Sequence, residues 1–229
     1  MSVLAVLDPA VAVAHTVVAG LAHVVPTALA IVLFTVAVRL ALHPLARAAA
    51  RGEKDRARLA PKIAELNRKH KDRPEKLREA MADLHQKEQV SPLAGCLPAL
   101  VQIPFFSVMY RLFTTSDDLQ SHTVFGTPLG LHVANAHGVG QLAVFGVLYA
   151  GLAAVGYVNF RRARRAAAAA QTAQPGAAFL PYLSFGTVLF AALVPLAAAL
   201  YLVTSGVWTA TERALLHRGG APVPTLAVA

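Results

Sequence analysis

Charge is scarce in this chain and unevenly placed. Only 14% of its 229 residues are Asp, Glu, Lys or Arg, against roughly 25% in soluble domains. With 56% hydrophobic residues and a mean hydropathy of +0.53, that balance excludes an ordinary soluble domain and points to a polytopic membrane protein. The single cysteine, Cys96, excludes an internal disulfide. It reads as a small packing residue. The nine histidines are scattered and form no Cys/His cluster with metal spacing, so no metal or other cofactor is implied. No G-x-S-x-G, H-E-x-x-H or acidic pair within an apolar run supplies a nucleophile with a positioned base, which excludes an intramembrane enzyme. The apolar N-terminus lacks the basic flank of a standard cleaved signal peptide, because no Lys or Arg precedes Arg39.

What basic charge there is lies in clusters. Thirteen of the 21 Lys and Arg fall between Arg47 and Lys87, four within Arg161–Arg165, and two at Arg213 and Arg218. None lies between Leu112 and Phe160. A net charge of +9 spread over a soluble surface would suggest nucleic acid. Clustered in this way it is the pattern that orientation by the positive-inside rule leaves, so no sequence-specific nucleic-acid partner is expected.

A span needs about 20 apolar residues. Val24–Leu45, Leu93–Phe113 and Val139–Phe160 meet that length, whereas Phe179–Ala210 is too long for one crossing and short for two. Basic residues flank that last segment on both sides, so it must cross an even number of times, turning near Pro195 where a helix cannot continue. The expected fold is therefore all-α, with five transmembrane helices, the N-terminus outside and the C-terminus inside. An outer segment 1–23, with a candidate interfacial helix at Ala10–Val25, leads into spans at 24–45, 92–113, 139–160, 179–194 and 195–216. A cytoplasmic helical hairpin occupies 46–91, an outer loop 114–138, a basic cytoplasmic loop 161–178 and a short tail 217–229. The short fourth crossing would thin the bilayer or tilt its neighbours. Arg111, at the outer end of its span, reads as a side chain snorkelling to the outer headgroups.

Two features ask for a functional account. The first is Arg39, the one charge within Val24–Leu42. An arginine at membrane depth costs at least ~3 kcal/mol on insertion scales, so it faces a polar cavity or a partner unless it snorkels. The second is the hairpin, whose stripes Leu59, Ile63, Leu66 and Leu77, Met81, Leu84 have a helical period. Asp72 is placed to cap the second helix, Glu75 to complete a capping box and Pro74 to sit in the first turn. With 13 basic and eight acidic residues in the loop, the hairpin reads either as a solvated element resting on anionic lipid or as a docking element for a cytoplasmic partner.

Several strings resemble one family. Thr35-Val36-Ala37-Val38-Arg39 ending in His43-Pro44-Leu45, Pro61-Lys62-Ile63 before the charged hairpin, Ser91-Pro92-Leu93-Ala94-Gly95-Cys96-Leu97-Pro98, and Gln102-Ile103-Pro104-Phe105-Phe106 are similar to the bacterial YidC/Oxa/Alb membrane-protein insertases. The resemblance runs from about Val24 to Leu216 and is most specific from Leu59 to Phe113. It implies a multi-pass protein of the bacterial cell membrane that inserts nascent membrane proteins without covalent catalysis. It also implies that Arg39 lines a hydrophilic groove open to the cytoplasm and to lipid. Thr35 would share that face by its i−4 spacing. Gln102, Asn159, Thr187 and Tyr201 match polar or aromatic groove positions, although interhelical hydrogen bonding accounts equally for Gln102, Asn159 and Thr187. Pro61, Lys62, Ile63, Asp72 and Pro74 would belong to the capture hairpin. The implied partners are nascent membrane proteins, the ribosome, the Sec translocon and the bilayer. Ser91 and Ala94 stand where the family usually has Asn and Gly, and Leu202 replaces a second aromatic. The long basic tail of some relatives has no counterpart here, Arg218 being the sole basic residue after Arg213. The alternative is a small transporter using Arg39 as an anion site, which the lack of internal repeats and an odd number of spans disfavour.

Overall fold

The computed structural model describes residues 8–71, 73–88, 106–114, 117–170 and 180–216. Asp72, Gln102, Cys96, the Ser91–Pro98 string and the tail from His217 lie outside the described residues. The described chain is mostly helical. Its helices are α1 (Asp8–Ala22), α2 (Thr27–Ala41), α3 (His43–Lys69), α4 (Pro74–Lys87), α5 (106–114), α6 (Asp117–Ser121), α7 (Val139–Ala170), α8 (Gly186–Ala191) and α9 (Leu196–Leu216). Short 3-10 segments lie at Val133–Asn135 and Leu180–Phe185.

Among the described residues one helix, α7, is long and apolar enough to cross a membrane. A second such stretch is formed by α2 with the start of α3, bent by 54° between them. The bend divides the expected span 24–45 between two helices. Pro44 has no N–H to give to the carbonyl of Leu40, so the ladder stops at Ala41 and restarts with Pro44 in the first turn of a new helix. At the other end Pro26 is the N-cap residue of α2.

The core lies where α1, α2, α5, α7 and α9 meet. The expected interfacial helix is α1, and its buried stripe of Ala14 and Val18 packs against α2 rather than standing alone. Arg111 on α5 does not merely snorkel. Its Nη1 lies 2.5 Å from Asp8 Oδ1, tying α5 to the start of α1. Phe106 on α5 meets Phe190 and Tyr201 edge-on and tilted, at 5.6 and 6.5 Å between centroids.

The expected outer loop has structure of its own. Strands β1 (Thr123–Val124) and β2 (Thr127–Pro128) pair antiparallel across Phe125-Gly126. Both of these residues have positive φ, 48° and 76°, as a two-residue type I′ hairpin requires. Beyond the hairpin, Leu131 and Leu129 offer carbonyls at 2.9 Å to the backbone N–H groups of Leu196 and Ala197. Two orphan donors of the first turn of α9 are satisfied in this way, and the helix start is fixed.

Two further boundaries differ from those read in the sequence. The basic run Arg161–Arg165 is not loop but the continuation of α7, carried to Ala170 by alanines, the strongest helix formers. The expected crossing at 179–194 is a 3-10 segment followed by only six α-helical residues, Gly186–Ala191. Together they extend about 21 Å, less than the ~30 Å of a hydrocarbon core. The chain then turns through Ala192–Pro195 into α9.

Helix α9 is central. It packs on α2 along one face and on α7 along another. The α7 contact uses small residues: a Cβ on Gly206 would meet Val155 Cγ1 at 3.1 Å, and one on Gly151 would meet Val203 at 3.4 Å. The pairs 151 with 203 and 155 with 206 ascend together, so α7 and α9 run parallel in close approach.

Candidate functional site at Arg39

Arg39 lies one turn before the bend, half-buried between α2 and α9. Its Nη2 donates to Ser205 Oγ, and the Tyr201 side chain is a second hydrogen-bond partner. Both come from α9, one turn apart, and both are buried. Their ring and hydroxyl positions are thereby fixed by packing, not by solvent. Glu212 attracts the guanidinium from two turns further along α9, and Arg213 repels it.

One turn beyond Arg39, His43 faces the same helix. Its Nδ1 is 2.5 Å from Glu212 Oε1, with the carboxylate side chain only 10% exposed. The polar seam is therefore two-stepped. Arg39 meets the hydroxyls of Tyr201 and Ser205, and His43 meets the carboxylate of Glu212. Residues 201, 205, 208 and 212 share one face of α9 by their spacing. Trp208 completes the row, its Nε1 buried with no hydrogen-bond partner among the described residues.

The structure brings Arg39 and Tyr201 together, keeps Thr35 one turn back on α2, and leaves Asn159 and Thr187 on other elements. Thr35 is fully buried, and its hydroxyl donates to Ile31 O at 2.7 Å. Tyr201 is 1% exposed inside the aromatic cluster, so its ring serves as packing and its hydroxyl serves Arg39. Asn159 is half-buried on α7, and Thr187 half-buried on α8. A shallow, open depression of about 400 Å³ lies elsewhere, at the α1–α2 turn beside His122 and Thr27. Those two residues share a hydrogen bond.

Ser205 and Glu212 were not singled out from the sequence, and His43 entered only as part of the His43-Pro44-Leu45 string. The signals were there. Ser205 follows Tyr201 by one turn, His43 follows Arg39 by one turn, and Glu212 is the only acidic residue after Asp118.

In the hairpin, Glu88 accepts from Lys62 and lies 3.2 Å from Arg58. This closes the open end of α3 onto α4. The Lys62 hydrogen bond and charge, with Arg58 behind them, hold the Glu88 carboxyl below the usual carboxylate range. Lys62 is thus engaged within the hairpin. Ile63 is half-buried, and Pro61 is exposed in the interior of α3. The expected cap at Asp72 is displaced by one residue. Arg73 is the N-cap residue, without a side-chain cap bond, because Pro74 takes the first helical position.

Comparison with known proteins gives these positions a context. A stretch of 98 residues is 39% identical to the membrane protein insertase YidC of Caulobacter vibrioides (strain NA1000 / CB15N), covering 43% of this chain and 16% of that protein. The insertase YidC of Pelagibacter ubique (strain HTCC1062) is 40% identical over 98 residues, 43% of this chain and 18% of that protein. That of Helicobacter pylori (strain ATCC 700392 / 26695) is 40% identical over 92 residues, 40% of this chain and 17% of that protein. The matched stretch thus spans less than a fifth of the length of these curated relatives. Residues 20–221 match the family model described as 60Kd inner membrane protein, which is nearly the whole chain, and the chain belongs to that YidC/Oxa family.

Proposed function

We propose that this chain is an insertase of the bacterial cell membrane that eases short polar segments of nascent membrane proteins into or across the bilayer. The observation that carries the reading is Arg39, a half-buried cation held by two neutral hydroxyl groups in a chain of this family. Neutral partners fill donor positions of the guanidinium without cancelling its charge. A polar or acidic segment arriving from the cytoplasm is drawn to that charge along a hydrophilic groove. Its apolar neighbour then partitions sideways into lipid. The cost being lowered is ~2.5–3.5 kcal/mol for each charged residue at mid-depth. One opposing charge offsets much of this for one or two residues and not for a long charged domain, so short tails and loops are the preferred cargo.

The topology in this proposal has five crossings with the N-terminus outside and the C-terminus inside. The short 180–191 segment, about 9 Å less than a hydrocarbon core, thins the bilayer beside the groove. Asn159 and Thr187, with Gln102 from outside the described residues, extend the polar wall. The α3–α4 hairpin receives the incoming chain, the ribosome supplies it and the Sec translocon can act beside it. No covalent step is involved.

The test is charge reversal in proteoliposomes, following protease protection of a small two-span substrate with an acidic tail. Arg39→Lys should retain most insertion and Arg39→Glu should lose it. Normal insertion by both variants defeats the electrostatic mechanism. Solute flux without insertion by the unaltered protein favours a transporter instead.

A further inference from the structure

The hairpin between α6 and α7 carries an aromatic side chain that neither its backbone nor its packing favours. Phe125 opens the β1–β2 turn at φ 48°. Gly, Asn and Asp visit that left-handed region readily, and a bulky residue there is strained. The first position of a type I′ turn is ordinarily Asn, Asp or Gly. No packing within the chain offsets the strain, since Phe125 is 91% exposed. A strained aromatic kept at a solvent-facing tip points to a contact outside the chain.

The base of the hairpin is tied down, and this sets the height of the tip. Leu129 and Gly130 donate backbone N–H groups to the carbonyls of His122 and Gln120, at 2.8 and 3.0 Å. Thr127 is fully buried, and the His122 ring is hydrogen-bonded to Thr27, the first residue of α2. With the carbonyls of Leu129 and Leu131 bound to the first turn of α9, the base lies level with the starts of both helices. Phe125 is three residues beyond His122, so its backbone stays within about 10 Å of that level whichever way the hairpin leans. The headgroup layer on one face of a bilayer is about 5–8 Å deep. A tip so placed lies at the membrane surface when α2 and α9 begin at the edge of the hydrocarbon.

Composition identifies the occupant. No Asp, Glu, Lys or Arg lies between Asp118 and Arg161, so no such charge in the hairpin resists entry into the headgroup layer or attracts a charged partner. β1 packs on α2 and β2 on α7. At the outer helix ends beside them, Val24 and Val139 are 84% and 87% exposed. Exposed apolar side chains then continue down α7 at Leu142 and Val147, on the one described helix long and apolar enough by itself to cross a membrane. An exposed ring on an uncharged turn, beside a helix with an apolar outer face, is suited to the boundary between headgroups and acyl chains.

We propose that Phe125 anchors the β1–β2 hairpin in the outer leaflet, its ring inserted among phospholipid headgroups and upper acyl chains. This rests on the reading above that α2, α7 and α9 traverse the bilayer with their first residues at the outer face. Through the hydrogen bonds at its base, the anchored hairpin fixes the height of α2 and α9, and with them Arg39, relative to the membrane surface.

The test uses the full chain with Trp208→Phe and a single new tryptophan. Phe125→Trp reports on the tip, Asn135→Trp on the exposed outer loop and Val147→Trp on the exposed face of α7. Each variant is reconstituted in phosphatidylcholine nanodiscs whose acyl chains carry bromine near the headgroup or near the chain end, and iodide is added to the water. The tip tryptophan should be quenched more strongly by bromine near the headgroup than near the chain end. It should also be several-fold less open to iodide than position 135. A tip open to iodide and untouched by either lipid overturns the anchor. Shielding from iodide without quenching by either lipid overturns the lipid as occupant in favour of a second copy of the chain. When Val147→Trp also escapes both lipids, the bilayer placement of α7 falls as well, and not the anchor alone. Phe125→Asn gives a second reading, because Asn tolerates this φ. Relative to the unaltered chain it should unfold at the same or a higher temperature in detergent and at a lower one in nanodiscs. Equal shifts in the two media overturn the anchor.

Discussion

Glu212→Gln separates the charge of the polar seam from its geometry. Seven residues, about 10.5 Å of helix, separate Glu212 from Ser205, the residue that holds Arg39. Side-chain reach brings the carboxylate and guanidinium to roughly 9 Å, where two unit charges interact by about 2 kcal/mol at an effective dielectric of 20. Arg39 is only half-buried, so solvent screening reduces this to about 1 kcal/mol. A substrate carboxylate docked on Arg39 would be repelled by Glu212 with similar strength. Glutamine keeps an oxygen for His43 and removes the charge. The variant should therefore hold an acidic tail at Arg39 about fivefold more tightly and treat a neutral tail as before. Photo-crosslinking from Val38, beside Arg39 on α2, measures this with paired substrates that carry Asp or Asn in the translocated tail. An equal change for both substrates, or no change for either, refutes the reasoning. Glu212→Leu supplies the contrast, since it loses the His43 bond too and should disturb both substrates.

Three other outcomes are expected. Pro44→Ala restores the N–H that can bond to the Leu40 carbonyl, so α2 should run on into α3. Spin labels on α2 and the first turns of α3 should report a bend smaller than 54°. The Glu88 bridge has a definite pH sense. Its carboxyl titrates lower in the folded hairpin than in the unfolded chain, so its contribution is complete above the ordinary glutamate value near 4.3 and is lost as pH falls through the lower folded value. Hydrogen exchange in α4 should thus be flat from neutral pH to about 5, quicken below 4 after correction for the intrinsic rate, and lose that added dependence in Glu88→Gln. Gly156→Ala gains about 1 kcal/mol of helix propensity. The new Cβ would nevertheless lie 3.1 Å from the Ser184 carbonyl oxygen and 3.2 Å from the Phe185 ring, so a net loss of about 1–2 kcal/mol is expected. Gly146→Ala on the same helix meets nothing within 4 Å and should stabilise. Thermal unfolding in detergent distinguishes the two.

The parts of this fold that were legible are those set by local chemistry. A helical period marked the hairpin stripes, and the motif strings pointed to the family that the comparisons then showed. Local chemistry misleads where two rules compete. Hydropathy carries straight through Leu42 because the residues on both sides are apolar, while Pro44 breaks the ladder there. Charge suggests a loop at Arg161, but nothing in Arg161–Ala170 breaks a helix, so α7 continues. Glu212 escaped notice because it stands beside Arg213 and reads as part of a charged helix end. Only the packing of α9 on α2 shows that Glu212 turns toward His43.

That division of α9 bears on why an arginine can remain charged and receptive within a packed bundle. A buried carboxylate paired directly with Arg39 would neutralise it, and removing either partner would strand the other at a cost of several kcal/mol. Here the direct partners are the hydroxyls of Tyr201 and Ser205, and the nearby acid is held two turns further along α9 by His43. Hydroxyls stabilise the guanidinium by hydrogen bonding and leave its charge to act on whatever enters. The α7-facing side, with Gly206 against Val155, permits the close helix approach that keeps α9 in place. The first turn is tied to Leu129 and Leu131 by backbone hydrogen bonds. A helix fixed at its start and along one flank can present a polar face on the other without collapsing onto it, and in the proposed mechanism that face is where a polar segment is held.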